Sequence, residues 1–140
     1  MKTLLFAILA VSSLSYAQSD SQRFNIPFAF HVGDRLMAAG EYSVGATGSG
    51  VLMVRSNGAG ADVAMALANR TGSGGPVLAT LIFNKFGNNY FLREAYSGNG
   101  SVGFELNKSH LEREVVKSSV IAQREEEKVR LLAKAQVRGR

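Results

Sequence analysis

Phe24-Asn25-Ile26-Pro27-Phe28-Ala29-Phe30-His31-Val32 places an apolar side chain at every second position. Successive side chains of an extended strand point to opposite faces, so Phe24, Ile26, Phe28, Phe30 and Val32 share one face. Asn25, Ala29 and His31 take the other. The stretch predicts one wall of a β core, and truncating Phe28 to alanine is expected to cost about 3–5 kcal/mol.

Outward from that wall, glycines punctuate further short strands. Gly33-Asp34-Arg35 reads as a turn, and Gly40 leads into the alternating Tyr42, Val44 and Ala46. Gly48-Ser49-Gly50 reverses the chain into Val51-Leu52-Met53-Val54, and Asn57-Gly58 suits the positive φ angles of a tight hairpin turn. Val63, Met65 and Leu67 alternate with Ala64, Ala66 and Ala68, which predicts large residues inward and small ones outward. Beyond the loop Gly72-Ser73-Gly74-Gly75-Pro76, strands are expected from Val77 to Lys85, Tyr90 to Tyr96 and Val102 to Leu106. Connections this short cannot carry a parallel crossover. The expected class is therefore mainly β: a small antiparallel meander barrel or roll of about seven strands with a C-terminal α-helix.

After Leu106 the period changes. Ser109-His110-Leu111-Glu112 has capping-box spacing, and Leu111, Val115, Ser118 and Ala122 form a helical stripe. Glu125-Glu126-Glu127-Lys128 interrupts the apolar character before Val129, Leu132 and Ala133 resume it. The segment 109–140 is accordingly read as a C-terminal helix with a basic tail, following a β-barrel domain over 18–108.

At the other end, Lys2 precedes the apolar run Leu4-Leu5-Phe6-Ala7-Ile8-Leu9-Ala10-Val11, and Ser15-Tyr16-Ala17 supplies small residues for cleavage. Residues 1–17 thus read as a signal peptide, too short in its apolar part to span a bilayer, leaving no transmembrane segment once removed. The expected location is secreted or periplasmic. With no cysteine in the chain, disulfides, thiolate metal sites and cysteine nucleophiles are excluded. From Gln18 to Glu114 eight basic residues balance eight acidic ones. Beyond, Lys117, Arg124, Lys128, Arg130, Lys134, Arg138 and Arg140 face only Glu125, Glu126 and Glu127, so the tail holds the excess of positive charge.

The runs Phe24-x-Ile26-Pro27-Phe28-x-Phe30-x-Val32-Gly33, Ala39-Gly40-Glu41-Tyr42-Ser43-Val44, Leu81-x-Phe83-x-Lys85-Phe86-Gly87-x-x-Tyr90-Phe91-Leu92 and Glu105-Leu106-x-Lys108-Ser109-x-x-Glu112-Arg113-Glu114 resemble a family of small secreted bacterial proteins of unknown function, of the acidobacterial type. The resemblance spans Phe24 to about Lys117 and implies an intact secreted domain. Ala38 stands where that family commonly has proline. The resemblance brings no activity, ligand or site residues with it.

Candidate chemistry is sparse. His31, near Asp34, has the makings of a base and its orienter, but no nucleophile motif such as Gly-x-Ser-x-Gly accompanies it. His110 reads as a first-turn helix residue, and two distant histidines make a poor metal site. Glu41, Glu94 and Glu105 would pair as acids only if their strands were adjacent. The glycine-rich loops lack a P-loop Lys-Ser/Thr pair. No catalytic residue, metal or cofactor is therefore expected.

Phe83, Phe86, Tyr90, Phe91 and Tyr96 cluster around one hairpin and are candidates to line an apolar ligand cavity, although small barrels usually fill their interior with side chains. The tail cations are candidate contacts for an anionic envelope surface. Nucleic-acid binding is not expected, because no basic patch is interleaved with aromatics. The favoured function is a non-enzymatic binding or cell-envelope-associated structural module, contacting an anionic surface or another envelope protein. A small barrel carrier of an apolar ligand is the alternative, and a hydrolase using His31 ranks last. If the tail is separate from the core, removing 124–140 should leave the β domain folded.

Overall fold

Pro27 cuts the opening run into two strands. Lacking an N–H, proline cannot continue a ladder, and the chain leaves one part of the sheet there and enters another. The structure, a computed structural model, describes residues 21–58, 60, 62–72, 74–121 and 127–133. The expected signal peptide, together with Ala122, Arg124, Lys134, Arg138 and Arg140, lies outside the described residues.

Ten strands and one helix are present among the described residues: β1 (Gln22–Ile26), β2 (Phe30–Val32), β3 (Arg35–Met37), β4 (Gly40–Ala46), β5 (Val51–Ser56), β6 (Val63–Arg70), β7 (Thr80–Phe86), β8 (Asn89–Tyr96), β9 (Phe104–Leu106), α1 (His110–Ile121) and β10 (Glu127–Leu132). The fold is mainly β. The sheet runs β1-β4-β5-β6-β9-β8, and β7 follows along the other edge of β8, with β10 beyond it. The β2-β3 hairpin shares the first edge of β8 with β9.

Three expectations about this sheet are corrected. It is not a closed barrel: β1 and β10 approach within 8 Å Cα to Cα, but no ladder joins them among the described residues. Nor is it wholly antiparallel, because His31 of β2 pairs in parallel with Phe91 of β8. Short loops force antiparallel pairing only between consecutive strands, and the long excursion between β2 and β8 leaves either direction open. The count exceeds about seven because Pro27 divides the first strand, Arg35–Met37 pairs back on β2, and β10 is a strand where a helix was expected.

The turns explain the hairpins. Gly33-Asp34 joins β2 to β3 and Gly87-Asn88 joins β7 to β8, with φ of 62° and 61° at the two glycines, as two-residue hairpin loops require. Asn57-Gly58 is instead the start of a longer loop, closed by the Ser56 amide donating to the Asp62 carbonyl at 2.7 Å.

The expected facing of the first run holds across the break at Pro27: Phe24, Ile26, Phe30 and Val32 are buried in the core, with Phe28 half-buried against it. Met37, Tyr42, Val44, Leu52, Val54, Leu81, Phe83, Leu92 and Leu106, with Ala64, Ala79 and Ala95, complete the core among the described residues. The facing of β6 is the reverse of the expectation. Ala64 is buried, with Ala66 and Ala68 packed against the core, whereas Met65 and Leu67 are 65% and 73% exposed. β6 crosses a core already filled by aromatic rings, so small residues fit inward and the large ones are left outside.

The helix lies on the opposite face of β7. The Ser109 hydroxyl accepts the Glu112 amide at 3.1 Å, as the capping reading expects. Glu112 does not reach back; it is buried and accepts from Asn84 Nδ2 at 3.2 Å. Asp34 supplies the second cap, its Oδ1 accepting the Leu111 amide at 2.9 Å. The buried stripe is Glu112 with half-buried Val115 and Val116, since Leu111 and Ser118 are exposed. Past α1, the expected helical continuation is replaced by β10, which pairs Val129 with Phe83 and Leu131 with Leu81. Val129, Leu131 and Ala133 face the core, while Lys128 and Arg130 are exposed.

Candidate functional site

Strand alternation separates the aromatic side chains that the sequence places together. Phe83 is fully buried in the core, edge-on to Phe28 at 5.1 Å and Phe30 at 5.5 Å. Tyr90 shares that side of the sheet and stacks on Phe28 at 3.8 Å. Phe86 and Phe91 are buried edge-to-face on the side that carries α1, with His31 stacked on Phe91 at 4.8 Å. Tyr96 stands at the far end of β8, its hydroxyl donating to Glu94 Oε2 at 2.6 Å. The five residues therefore line no common cavity.

His31 and Asp34, the candidate base and its orienter, have different surroundings. His31 is half-buried and its Nδ1 is buried without a hydrogen-bond partner among the described residues. Asp34 is turned to the helix, and the Leu111 amide and the Ser109 hydroxyl hold its carboxyl below the usual range. Burial lowers the His31 pKa, outweighing the opposing pull of Asp34, so the fold favours the neutral ring. A histidine lowered in this way contributes stability that is complete above its unfolded value near 6.5 and is lost as pH falls below it. Denaturant midpoints are accordingly expected to drop between pH 7.5 and 5.5, and His31→Phe, which retains the stack on Phe91, to flatten that drop.

Glu94 and Glu105 are brought directly opposite one another on β8 and β9, while Glu41 lies on β4 opposite Asn25 of β1. Both members of the close pair are engaged, Glu94 by Tyr96 and Glu105 by Arg93 Nη2 at 2.9 Å. Arg93 reaches Glu105 because a bulge between Ile82 and Phe83 leaves it outside the β7–β8 register. No group of three or more histidine or acidic side chains converges among the described residues as metal ligands do.

Two surface features remain. The outward face of β4, β5 and β6 pairs Met53 with Met65 and Val51 with Leu67. Arg55 pairs with Ser43, and Ser43 with Arg23 of β1, so two arginines flank this apolar area. Of the expected anion contacts, Lys117 lies exposed on α1, and Lys128 and Arg130 lie exposed on β10. Lys85 is tied to Glu127 at 3.5 Å, which raises its pKa.

The second feature is a pocket of about 220 Å³ where β4, β6 and β8 finish and β1, β5, β7 and β9 begin. Space exists there because Gly45, Ala46, Gly48 and Ala95 form part of its wall. Tyr96 also lines it, and a Cβ at Gly103 would collide with that ring, so glycine is needed to seat it. The pocket was not legible in the sequence, since its lining comes from seven strands. The exposed apolar face is half legible, as alternation marks β6 as a strand but does not fix which set of its side chains turns inward.

No protein-family model, curated protein or solved structure matches the chain. Among the described residues no helix is long and apolar enough to cross a membrane.

Proposed function

We propose that the chain is a secreted or periplasmic, non-enzymatic binding module that adsorbs to anionic surfaces of the cell envelope, of the kind its resemblance to small secreted bacterial proteins suggests. The observation that carries this reading is the outward face of β4–β6, where Met65 and Leu67 stand in solvent beside half-buried Met53 and Val51, with Arg55 next to Met53 on β5 and Arg23 in the same cross-strand row on β1. Contiguous apolar surface of this kind marks contact sites, and cations beside it favour an anionic partner. The exposed Lys128 and Arg130 add a second cationic element, held in place by the inward Val129 and Leu131.

Co-sedimentation with vesicles rich in anionic lipid tests the proposal. Binding is expected at low salt and should weaken as ionic strength rises through about 0.1 M, where the screening length falls to roughly 10 Å. Met65→Ser with Leu67→Ser should reduce it about tenfold, and Arg23→Gln with Arg55→Gln should remove most of its salt dependence. If Lys117→Gln, Lys128→Gln and Arg130→Gln remove the salt dependence instead, the cations of α1 and β10 are the contact. Absence of adsorption even at low salt would refute the reading.

A further inference from the structure

The pocket at the end of the curled sheet has the composition of a site for one chemical class. We propose that it binds a small carboxylate with an apolar body, such as a medium-chain alkyl acid. Its floor is made of Phe24, Leu52 and Leu81, side chains no more than 1% exposed that nevertheless line the space. The floor offers no hydrogen bond, so the inner part of a ligand must be apolar.

The rim carries a single charge. The inward face of β6 reads Ala64, Ala66, Ala68 and then Arg70, and Arg70 lines the pocket at its mouth opposite Phe104. No acidic side chain lines the pocket, and Arg70 has no ion pair among the described residues. A guanidinium beside an apolar floor is matched by a carboxylate at the end of a hydrocarbon, through the paired N–H donors that suit two carboxylate oxygens. At about 220 Å³ the pocket is larger than an engineered cavity of about 150 Å³ that holds benzene, so there is room for a body of about eight carbons. This site is distinct from the outward face proposed for surface adsorption, and of the five aromatics grouped by sequence only Tyr96 lines it.

Calorimetric titration of the protein with octanoate and, separately, 1-octanol tests the inference, because the two share a chain length and differ in charge. Octanoate is expected to bind at least tenfold more tightly than the alcohol. Arg70→Gln should bring octanoate to the level of the alcohol and leave the alcohol unchanged; Arg70 is exposed, so its loss does not open the core. Ala46→Phe should abolish binding of both by occupying the space, with amide NMR spectra checking that each variant is folded. Equal affinity for the two compounds, no effect of Arg70→Gln on octanoate, or no binding by the folded wild-type protein would each overturn the proposal.

Discussion

Phe83→Ala is expected to lower the stability of the protein by about 3–5 kcal/mol, a large part of the roughly 5–15 kcal/mol that holds a domain of this size together. Phe83 is fully buried and its ring is the meeting point of Phe28 and Phe30 in the core, while its backbone pairs with Leu92 on one side and Val129 on the other. Truncation leaves a cavity bounded by three strands, none of which can collapse inward without breaking a ladder. Phe28→Ala, the change first suggested by the sequence, should cost less, about 1–2 kcal/mol, because Phe28 is only half-buried. Urea denaturation monitored by circular dichroism compares the two, and equal midpoints would place the centre of the core elsewhere.

Ending the chain at Ile121 is expected to have the second large effect. The expectation that 124–140 can be removed without harm rests on reading it as a separate helix; with β10 present, truncation removes a six-residue strand and uncovers the edge of β7. Losing the burial of Val129, Leu131 and Ala133 should cost about 2–4 kcal/mol, and the bared edge should promote association. Lys128→Gln with Arg130→Gln, both on the exposed face, should leave the unfolding midpoint within a degree or two of wild type. Thermal unfolding with light scattering separates the outcomes, and a truncated protein that melts like the intact one would mean that β10 adds nothing to the core.

Periodicity alone located most of the strands, because alternation of large apolar and small or polar residues leaves only one face able to be buried, as in Phe24 to Val32. It misled where both faces are apolar. In β6 the alanines and the larger residues are equally acceptable to a strand, and which set turns inward depends on the volume left by rings from distant strands. β10 carried the period-two signal Lys128-Val129-Arg130-Leu131, but Leu132 and Ala133 behind it and the glutamates before it also fit a continuing helix. The end pocket was beyond reach for a different reason: Gly45, Ala95 and Arg70 acquire a common meaning only when the ends of their strands meet. Likewise, nothing in the sequence of Tyr96 announces that Gly103 must stay bare beneath it.

That the sheet is completed by its last strand has a consequence for how the molecule is made. β7 and β8 can form their hairpin as soon as both are available, whereas β10 reaches β7 only after the intervening helix, and β2 must wait for β8. Pairings so distant along the chain slow folding, and a nascent polypeptide carries the unpaired edge of β7 until residue 132 has been synthesised. The final residues of the strand act as a completion signal: a prematurely terminated product retains most of the apolar core sequence but lacks the strand that shields it, making it a ready substrate for proteolysis or aggregation.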